Sequence, residues 1–462
     1  MKQIVFLIIL TAVFVVSGCK TIEPEKNQSP VLNLPEKFFI EPDGGETAHV
    51  LPLFSGYEEL KALINEAFNN NFDLKILNAR ISQAKAMVAK DESLFFPSLG
   101  FSSGGQKNRA QNKNEHGTSS TYSSSHSWDG SLQGSYTVDV WGEAKADKKA
   151  QELKLKAAIW DLKESKLVLT TTMAQVWVDI ISVRNKQQIL LGQIKNNQTL
   201  LELQKLRFLN GRANALDVSQ QHEAIAQANS QVPLLEKQEH LLINTLVFLS
   251  GKNRSDGVGV TTKTLPAIIP LPMTGVPLNL LDNRPDIQAA RLRLFSSQWK
   301  ITAAKADLLP SFNLTAQALF SSGKLDLLFQ NWVVTLAGSI AGPVFDGGFR
   351  KAEVKRVKAL AEEQLNIYAM IVAKAIKEVE DTLVSIQKQA SYIKLLEQEL
   401  EAVRLTLKDA RIQYLNGQSS YLNYLIALTG IERLERQLVS ERAVYIKDRI
   451  MLYKVLGLGF GT

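Results

Sequence analysis

The sequence predicts a mainly α-helical chain carrying a few membrane-type β-strands, laid out as two copies of one unit. Apolar residues recur at heptad spacing over two long stretches, and shorter segments before each stretch change to a period of two. A set of signature peptides also returns in order. Leu94-Phe95-Phe96-Pro97-Ser98-Leu99 reappears as Asp307-Leu308-Leu309-Pro310-Ser311-Phe312, a shift of 213 residues. Asp139-Val140-Trp141-Gly142 answers to Phe345-Asp346-Gly347-Gly348, and Phe208-Leu209-Asn210-Gly211 to Tyr414-Leu415-Asn416-Gly417, both at a shift of 206. Repetition at a nearly constant shift means a duplicated structural unit with rotational pseudo-symmetry.

The chain opens with Met1-Lys2-Gln3, an apolar run from Ile4 to Val16, and Ser17-Gly18-Cys19. A basic start, a short apolar segment and small residues before a cut describe a secretory signal over 1–18. The run is shorter than the roughly 20 apolar residues of a spanning helix. Val16-Ser17-Gly18-Cys19 matches the bacterial lipobox, which makes Cys19 the lipidation site and 19–56 a lipid-anchored linker. Acyl chains there would hold the protein at a membrane through roughly 0.8 kcal/mol per buried methylene. Lys20 follows, and lipoproteins lacking Asp at that place are generally sent to the outer membrane. Cys19 is the single cysteine, so no disulfide framework is available.

The first repeat is expected over 57–250, as a helix, two strands, a long helix, a tip and a return helix. From Glu143 to Arg207 there is no proline, and Leu155, Leu162, Leu169, Val176, Val183 and Leu190 fall at seven-residue steps. In the second repeat, expected over 284–456, Leu365, Val372, Val379, Ile386, Ile393, Leu400, Leu407 and Tyr414 keep strict register. Heptads of this length mean coiled-coil packing against antiparallel return helices at Leu216–Leu249 and Tyr421–Leu456. Shorter helices are expected at about Tyr57–Leu94 and Asp286–Leu308. A Pro- and Gly-rich connector, 251–283, joins the copies, and 457–462 is a tail.

Between the shorter and longer helices, Phe312, Leu314, Ala316, Ala318 and Phe320 alternate with Ser311, Asn313, Thr315 and Gln317. Trp332 to Ile340 and Leu132 to Val140 alternate likewise, and Leu99 and Phe101 open a weaker strand. Each is about ten residues, the length of a tilted membrane-spanning strand. Their polar faces of hydroxyls and amides suit a watery lumen. Gln106–Ser127, rich in Asn, Ser, Thr, Gly and Lys, is expected to be an exposed loop. Four strands cannot close a barrel, and an open edge in hydrocarbon leaves backbone groups unpaired at several kcal/mol each. Three chains would supply twelve.

The composition excludes other classes. A net charge of +7, spread along helices, describes a solvated surface and no nucleic-acid partner. Histidines at 49, 116, 126, 222 and 240 form no metal-ligand spacing, and no P-loop, nucleophile elbow or dinucleotide loop appears. No enzyme, cofactor or metal is expected. Arg284-Pro285-Asp286 reads as helix initiation, with proline in the first turn and aspartate at the positive end of the dipole.

The lipobox, Tyr136-Thr137-Val138-Asp139-Val140-Trp141-Gly142, Leu281-Asp282-Asn283-Arg284-Pro285-Asp286-Ile287 and Gly342-Pro343-Val344-Phe345-Asp346-Gly347-Gly348 together resemble the TolC-type outer-membrane efflux channels, in their lipoprotein branch. The resemblance implies a homotrimer with a twelve-stranded β-barrel, four strands per chain, in outer-membrane lipid, on a long α-helical coiled-coil barrel in the periplasm. It implies a passive exit duct for small molecules, opened by a periplasmic adaptor (membrane fusion) protein that contacts an inner-membrane pump of the RND type. It places Arg207, Gly211, Asp217 and Gly417 at the adaptor-contact tip and Gln413, Tyr421, Asn423 and Tyr424 at the periplasmic gate. Asn214 stands where the family favours serine, and Gln413 and Asn423 replace the arginine and aspartate of the first tip. Ser419 and Ile426 occupy places where many relatives carry acids, so the closed state is expected to rely on tyrosine packing and amide hydrogen bonds. The outer-membrane component of a type I protein secretion system shares the architecture. A lipid-anchored periplasmic coiled-coil scaffold or adaptor is the alternative from another class.

Overall fold

The computed structural model describes residues 57–113, 120–253, 259–267 and 280–458. The signal segment, Cys19, the linker to residue 56, connector residues 254–258 and 268–279, and tail residues 459–462 lie outside the described residues.

The first repeat runs α1 (Glu58–Asn70), α2 (Phe72–Glu92), β1 (Ser98–Lys113), β2 (Ser120–Val138), α3 (Glu143–Leu209) and α4 (Ala215–Leu249). The second runs α5 (Leu280–Asn283), α6 (Pro285–Ala306), β3 (Ser311–Ser322), β4 (Trp332–Ala341), α7 (Phe349–Leu415) and α8 (Tyr421–Val455). Helices α3 and α7 have 67 residues each, and α4 and α8 have 35 each. At 1.5 Å per residue, α3 and α7 are each about 100 Å long.

By internal contacts the chain divides into two compact units, the first holding 80–159 and 289–369 and the second the remaining described residues. The second unit owes its core to the heptads. Val176, Val183, Leu190, Val372, Val379, Ile386, Ile393, Leu400 and Tyr414 are all buried there. Trp177 is fully covered, packs edge-on against Tyr57 with centroids 5.1 Å apart, and donates from Nε1 to Glu59 Oε1 at 3.1 Å. Glu59 also fixes the connector. Its Oε2 accepts from Thr261 N at 2.9 Å and from the Thr261 hydroxyl, while Val260 is buried in the same core. Burial opposes ionisation of Glu59, but these hydrogen bonds outweigh it and hold the carboxyl below its usual range.

The expected single helix Tyr57–Leu94 is in fact two, broken at Asn71, whose ψ of 131° leaves the helical region. The break is useful. Asn71 Oδ1 accepts from Leu74 N at 3.2 Å and starts α2, while Nδ2 donates to Leu249 O at 2.9 Å, a terminal carbonyl of α4. Arg284 does the same in the second copy, where its Nη1 donates to Val455 O at 3.1 Å at the end of α8. Asn71 and Arg284 are 213 residues apart and Leu249 and Val455 are 206 apart, so the duplication extends to this contact. Helix α5 lies within the expected connector and matches the last turn of α1. Pro285 and Asp286 begin α6 as expected, and Arg284, itself buried, also pairs with Asp286 Oδ2 at 2.7 Å and Glu378 Oε2 at 2.9 Å.

The first unit contains one antiparallel sheet, in the order β1-β2-β3-β4. The β2·β3 ladder, from Trp128↔Ser322 to Val138↔Phe312, joins the two repeats. Register places Leu99, Phe101, Leu132, Tyr136, Phe312, Leu314, Val334, Leu336 and Ile340 on one face. On the other face hydroxyls and amides pair across strands: Ser98 with Ser135, Ser102 with Ser131 and Thr137 with Asn313, each at 2.8 Å. One expectation is overturned. Gln106–Ser127 is no simple loop, because β1 and β2 stay paired in unbroken register out to Lys113↔Ser120, making strands of 16 and 19 residues. Polar composition masked the hairpin, since strands that leave a core need no apolar face but still gain ladder hydrogen bonds and cross-strand contacts.

Replacing Arg284 by Ala is expected to strand two carboxylates and the Val455 carbonyl. Breaking a fully buried pair costs about 3–5 kcal/mol. Here the acid side chains keep 27% and 32% of their exposure, so a loss of roughly 2–3 kcal/mol is expected. Thermal unfolding of Arg284→Ala beside Asn71→Ala, which loses about 1–2 kcal/mol in a neutral cap and one hydrogen bond, checks the ordering.

Candidate helix-tip and gate site

The two helix-turn-helix tips are built alike. Gly211 N bonds Phe208 O at 2.9 Å and Arg212 N bonds Arg207 O at 2.8 Å; Gly417 N bonds Tyr414 O at 3.1 Å and Gln418 N bonds Gln413 O at 2.8 Å. These are paired Schellman closures. They need the left-handed backbone that Gly211 and Gly417 supply at φ +68° and +72°. The first return helix then starts with a capping box, in which Asn214 Oδ1 accepts from Asp217 N at 2.8 Å and Asp217 Oδ2 accepts from Asn214 N at 3.3 Å. Asn214 therefore caps as a serine would. Ser420, its counterpart before α8, makes no side-chain cap bond.

Just inside the tips, three tyrosines cluster. Tyr414 and Tyr421 have centroids 5.2 Å apart, Tyr421 and Tyr424 5.7 Å, and Tyr414 and Tyr424 stack at 6.3 Å. All three are buried. Arg207 lies over the Tyr414 ring, 4.7 Å from its centroid, so the first tip is clamped to the second through a cation–π contact. Two of the three hydroxyls find an amide. Tyr414 donates to Gln204 Oε1 at 2.8 Å and Tyr421 donates to Gln221 Oε1. Gln221 donates from Nε2 to both oxygens of Asn197 at 2.8 Å, and Asn197 Nδ2 donates to Glu432 Oε1 at 2.6 Å. Gln193 continues the chain to Glu435 at 3.1 Å and accepts from Arg436. The network ties α3 and α4 of the first repeat to α7 and α8 of the second.

Burial, helped by the neighbouring phenols, pushes Tyr421 well above the usual phenol range, and burial lifts Tyr414 and Tyr424 as well. The three remain donors at any physiological pH. Burial also raises the Glu432 carboxyl, against the hydrogen bond from Asn197 and the charge of Arg436.

Of the residues expected at the gate, the structure brings Tyr421 and Tyr424 together and leaves the other two outside. Gln413 and Asn423 are exposed; Gln413 serves through its main-chain carbonyl, and Asn423 donates to Ser419 Oγ at 2.9 Å. Ile426, 60% exposed, carries no charge to make an acidic ring. Tyr414, Gln204, Gln221 and Asn197 were the residues sequence reasoning missed as a site. For Asn197 and Gln204 a signal was available: they continue the heptad series of Leu190 at positions where a coiled coil expects apolar residues. Among the described residues, no group of three His, Cys, Asp or Glu side chains is set to hold a metal.

The profile of the outer membrane efflux protein family matches residues 63–252 and 276–458, one segment for each repeat. The chain belongs to the outer membrane efflux protein family. It is 28% identical over 409 residues to the pyoverdine export outer membrane protein OpmQ of Pseudomonas aeruginosa, covering 88% of this chain and 86% of that one. It is 24% identical to the probable outer membrane lipoprotein SilC of Salmonella typhimurium, covering 98% of both. Among solved structures, the outer-membrane channel OprN superposes with a TM-score of 0.85 at 22% identity, over 95% of this chain and 99% of that one. CusC gives 0.82 at 23%, with the same coverage. The fold of this efflux protein is that of the TolC-type channels, and its place is the outer membrane.

Two outcomes are expected from the buried network. Tyr421→Phe leaves Gln221 Oε1 without its donor and costs about 1–3 kcal/mol. Gln221→Leu costs more, because it also takes Nε2 from both oxygens of Asn197, and the double variant is expected to lose less than the sum of the two, which a double-mutant cycle on thermal unfolding checks. Because the folded pKa of Glu432 lies above its unfolded value, the folded state binds more protons just above pH 4.5, and stability falls as pH rises through that window. Glu432→Gln is expected to flatten this part of the stability–pH curve.

Proposed function

We propose that three copies of this efflux channel close a twelve-stranded barrel in the outer membrane and form a passive exit duct for small molecules. The observation that carries the reading is the sheet itself. Its four strands present a continuous apolar face, with Leu336 80% and Leu99 76% exposed, and no strand pairs with the outer edge of β1 or β4 among the described residues. Hydrocarbon covers such a face, and identical neighbours pair such edges. Trp128 and Trp332 stand where an interfacial girdle belongs. Acylation at Cys19 adds an anchor to the same membrane.

The tips give the duct a partner and a gate. Arg207, Gly211, Asp217 and Gly417 shape two exposed turns for a periplasmic adaptor, which links the channel to an energising inner-membrane pump of the RND type. Tyr421 and Tyr424, with Tyr414 and the amides behind them, hold the closed end; Gln413 and Asn423 flank it at the surface. Small molecules are favoured as cargo by two relatives, one named for pyoverdine export and one for cation efflux.

The full-length protein, extracted in detergent, is expected to run as a heat-modifiable trimer and to show small, rarely opening conductance in planar bilayers. Tyr421→Ala and Tyr424→Ala are expected to raise that conductance several-fold while the trimer persists. A monomer soluble without detergent would refute the duct, and unchanged conductance in both variants would refute the tyrosine gate.

A further inference from the structure

The unexpected hairpin extension carries its charge on one side. Register is unbroken from Ser98↔Ser135 to Lys113↔Ser120, so odd positions of β1 and even positions of β2 share a face along the whole ladder. That face begins with Leu99, Phe101 and Leu132, passes Trp128, and continues with Lys107 opposite His126 and then Arg109 opposite Ser124. The other face, over the same rungs, shows Gln106, Asn108, Ala110, Ser123, Ser125 and Ser127 and no cation. A solvated loop has no reason to sort its charges in this way.

The sequence along the charged face is layered. Trp128 lies across its partner Gly105, where an added Cβ would meet the indole at 2.5 Å, so the ring is spread over the backbone at the end of the apolar band. Lys107 is two residues beyond Gly105 and Arg109 four. For strands tilted by about 40° these are roughly 5 and 10 Å further along the membrane normal. Arg109 is held over the Tyr122 ring at 5.4 Å. Neither Lys107 nor Arg109 has a carboxylate partner among the described residues, and both are exposed. The nearest acid on the ladder, Asp129, points to the opposite face. Apolar band, aromatic girdle and then exposed cations is the order of a lipid leaflet from hydrocarbon to phosphate.

We propose that Lys107, Arg109 and His126, on the lipid-side face of the β1–β2 hairpin, bind phosphate groups of anionic glycolipid headgroups in the leaflet around the barrel. The inference rests on the reading that the sheet spans the outer membrane. The β3–β4 connection is short and lacks the motif, so each chain offers one such site.

The test uses the full-length wild-type protein in detergent, titrated with lipid A and with enzymatically dephosphorylated lipid A at low and high salt, binding being followed by native mass spectrometry. Binding is expected to need the phosphates and to weaken with salt. Lys107→Gln with Arg109→Gln is expected to weaken it roughly thirtyfold, and Lys324→Gln on the other hairpin to leave it unchanged. Equal binding of the dephosphorylated lipid, or an undiminished affinity in the double variant, overturns the site. Inorganic phosphate that displaces lipid A at equal concentration also overturns it, by making free phosphate the ligand. The wild-type titration needs no variant to fold. Heat-modifiable trimer and bilayer conductance, measured on the same preparation, separate the outcomes: if these fail, the membrane reading falls, and if they hold without phosphate-dependent binding, only the glycolipid site falls.

Discussion

A helix of 67 residues cannot stand alone in water, and covering its apolar stripe is the constraint on which the second compact unit depends. Helices α3 and α7 each carry that stripe at strict heptad spacing, and burial of Val176, Val183, Val379 and Ile386 shows it covered. At about 25 cal/mol per Å² of apolar surface, each such side chain contributes roughly 1.5–3 kcal/mol, an upper estimate because the unfolded chain already hides part of it. The return helices and their turns follow from this. A reversal at Gly211 or Gly417 brings the partner back antiparallel, and the capping box or the buried tyrosines fix where it begins.

Duplication gives two copies of each part, and the copies have diverged where they meet. Asn71 and Arg284 reach the same carbonyl of their own return helix, one with a neutral amide and the other with a guanidinium that also gathers Asp286 and Glu378. At the tips, the first copy supplies the amides Asn197, Gln204 and Gln221 and the second supplies the phenols Tyr414 and Tyr421. Neither half could satisfy its buried polar atoms alone. An unpaired buried group costs more than a formed hydrogen bond gains, so this seam is specific before it is strong.

Much of the architecture was legible in the sequence because its signals are periodic. The proline-free heptad stretch gave the first long helix to within two residues, the heptads from Leu365 to Tyr414 fall inside the second, and strict alternation from Phe312 to Phe320 gave a strand that the structure confirms. Glycines at 211 and 417 marked both tips. What escaped was non-periodic. The break at Asn71 is set by a carbonyl 178 residues away, and the extension of β1 and β2 rests on ladder bonds that polar residues form as well as apolar ones. The gate was half legible. Tyr421 and Tyr424 fall on the inward side of α8, whereas Gln413 and Asn423 are turned outward by the helical phase, which a positional match between copies does not reveal.

The β2·β3 ladder has a consequence for how this polypeptide is held together. Eleven residue pairs zip the end of one copy's hairpin to the start of the other's, and buried side chains cross between the copies at the helix tips as well. Side chains of both copies also share one hydrophobic core, and ion pairs such as Lys300–Asp147 and Lys447–Asp179 join them elsewhere, so the peptide link through 251–283 is one attachment among several and the covalent one. A nick there is expected to leave both halves in register, because the contacts that join the two copies do not depend on the covalent link between them.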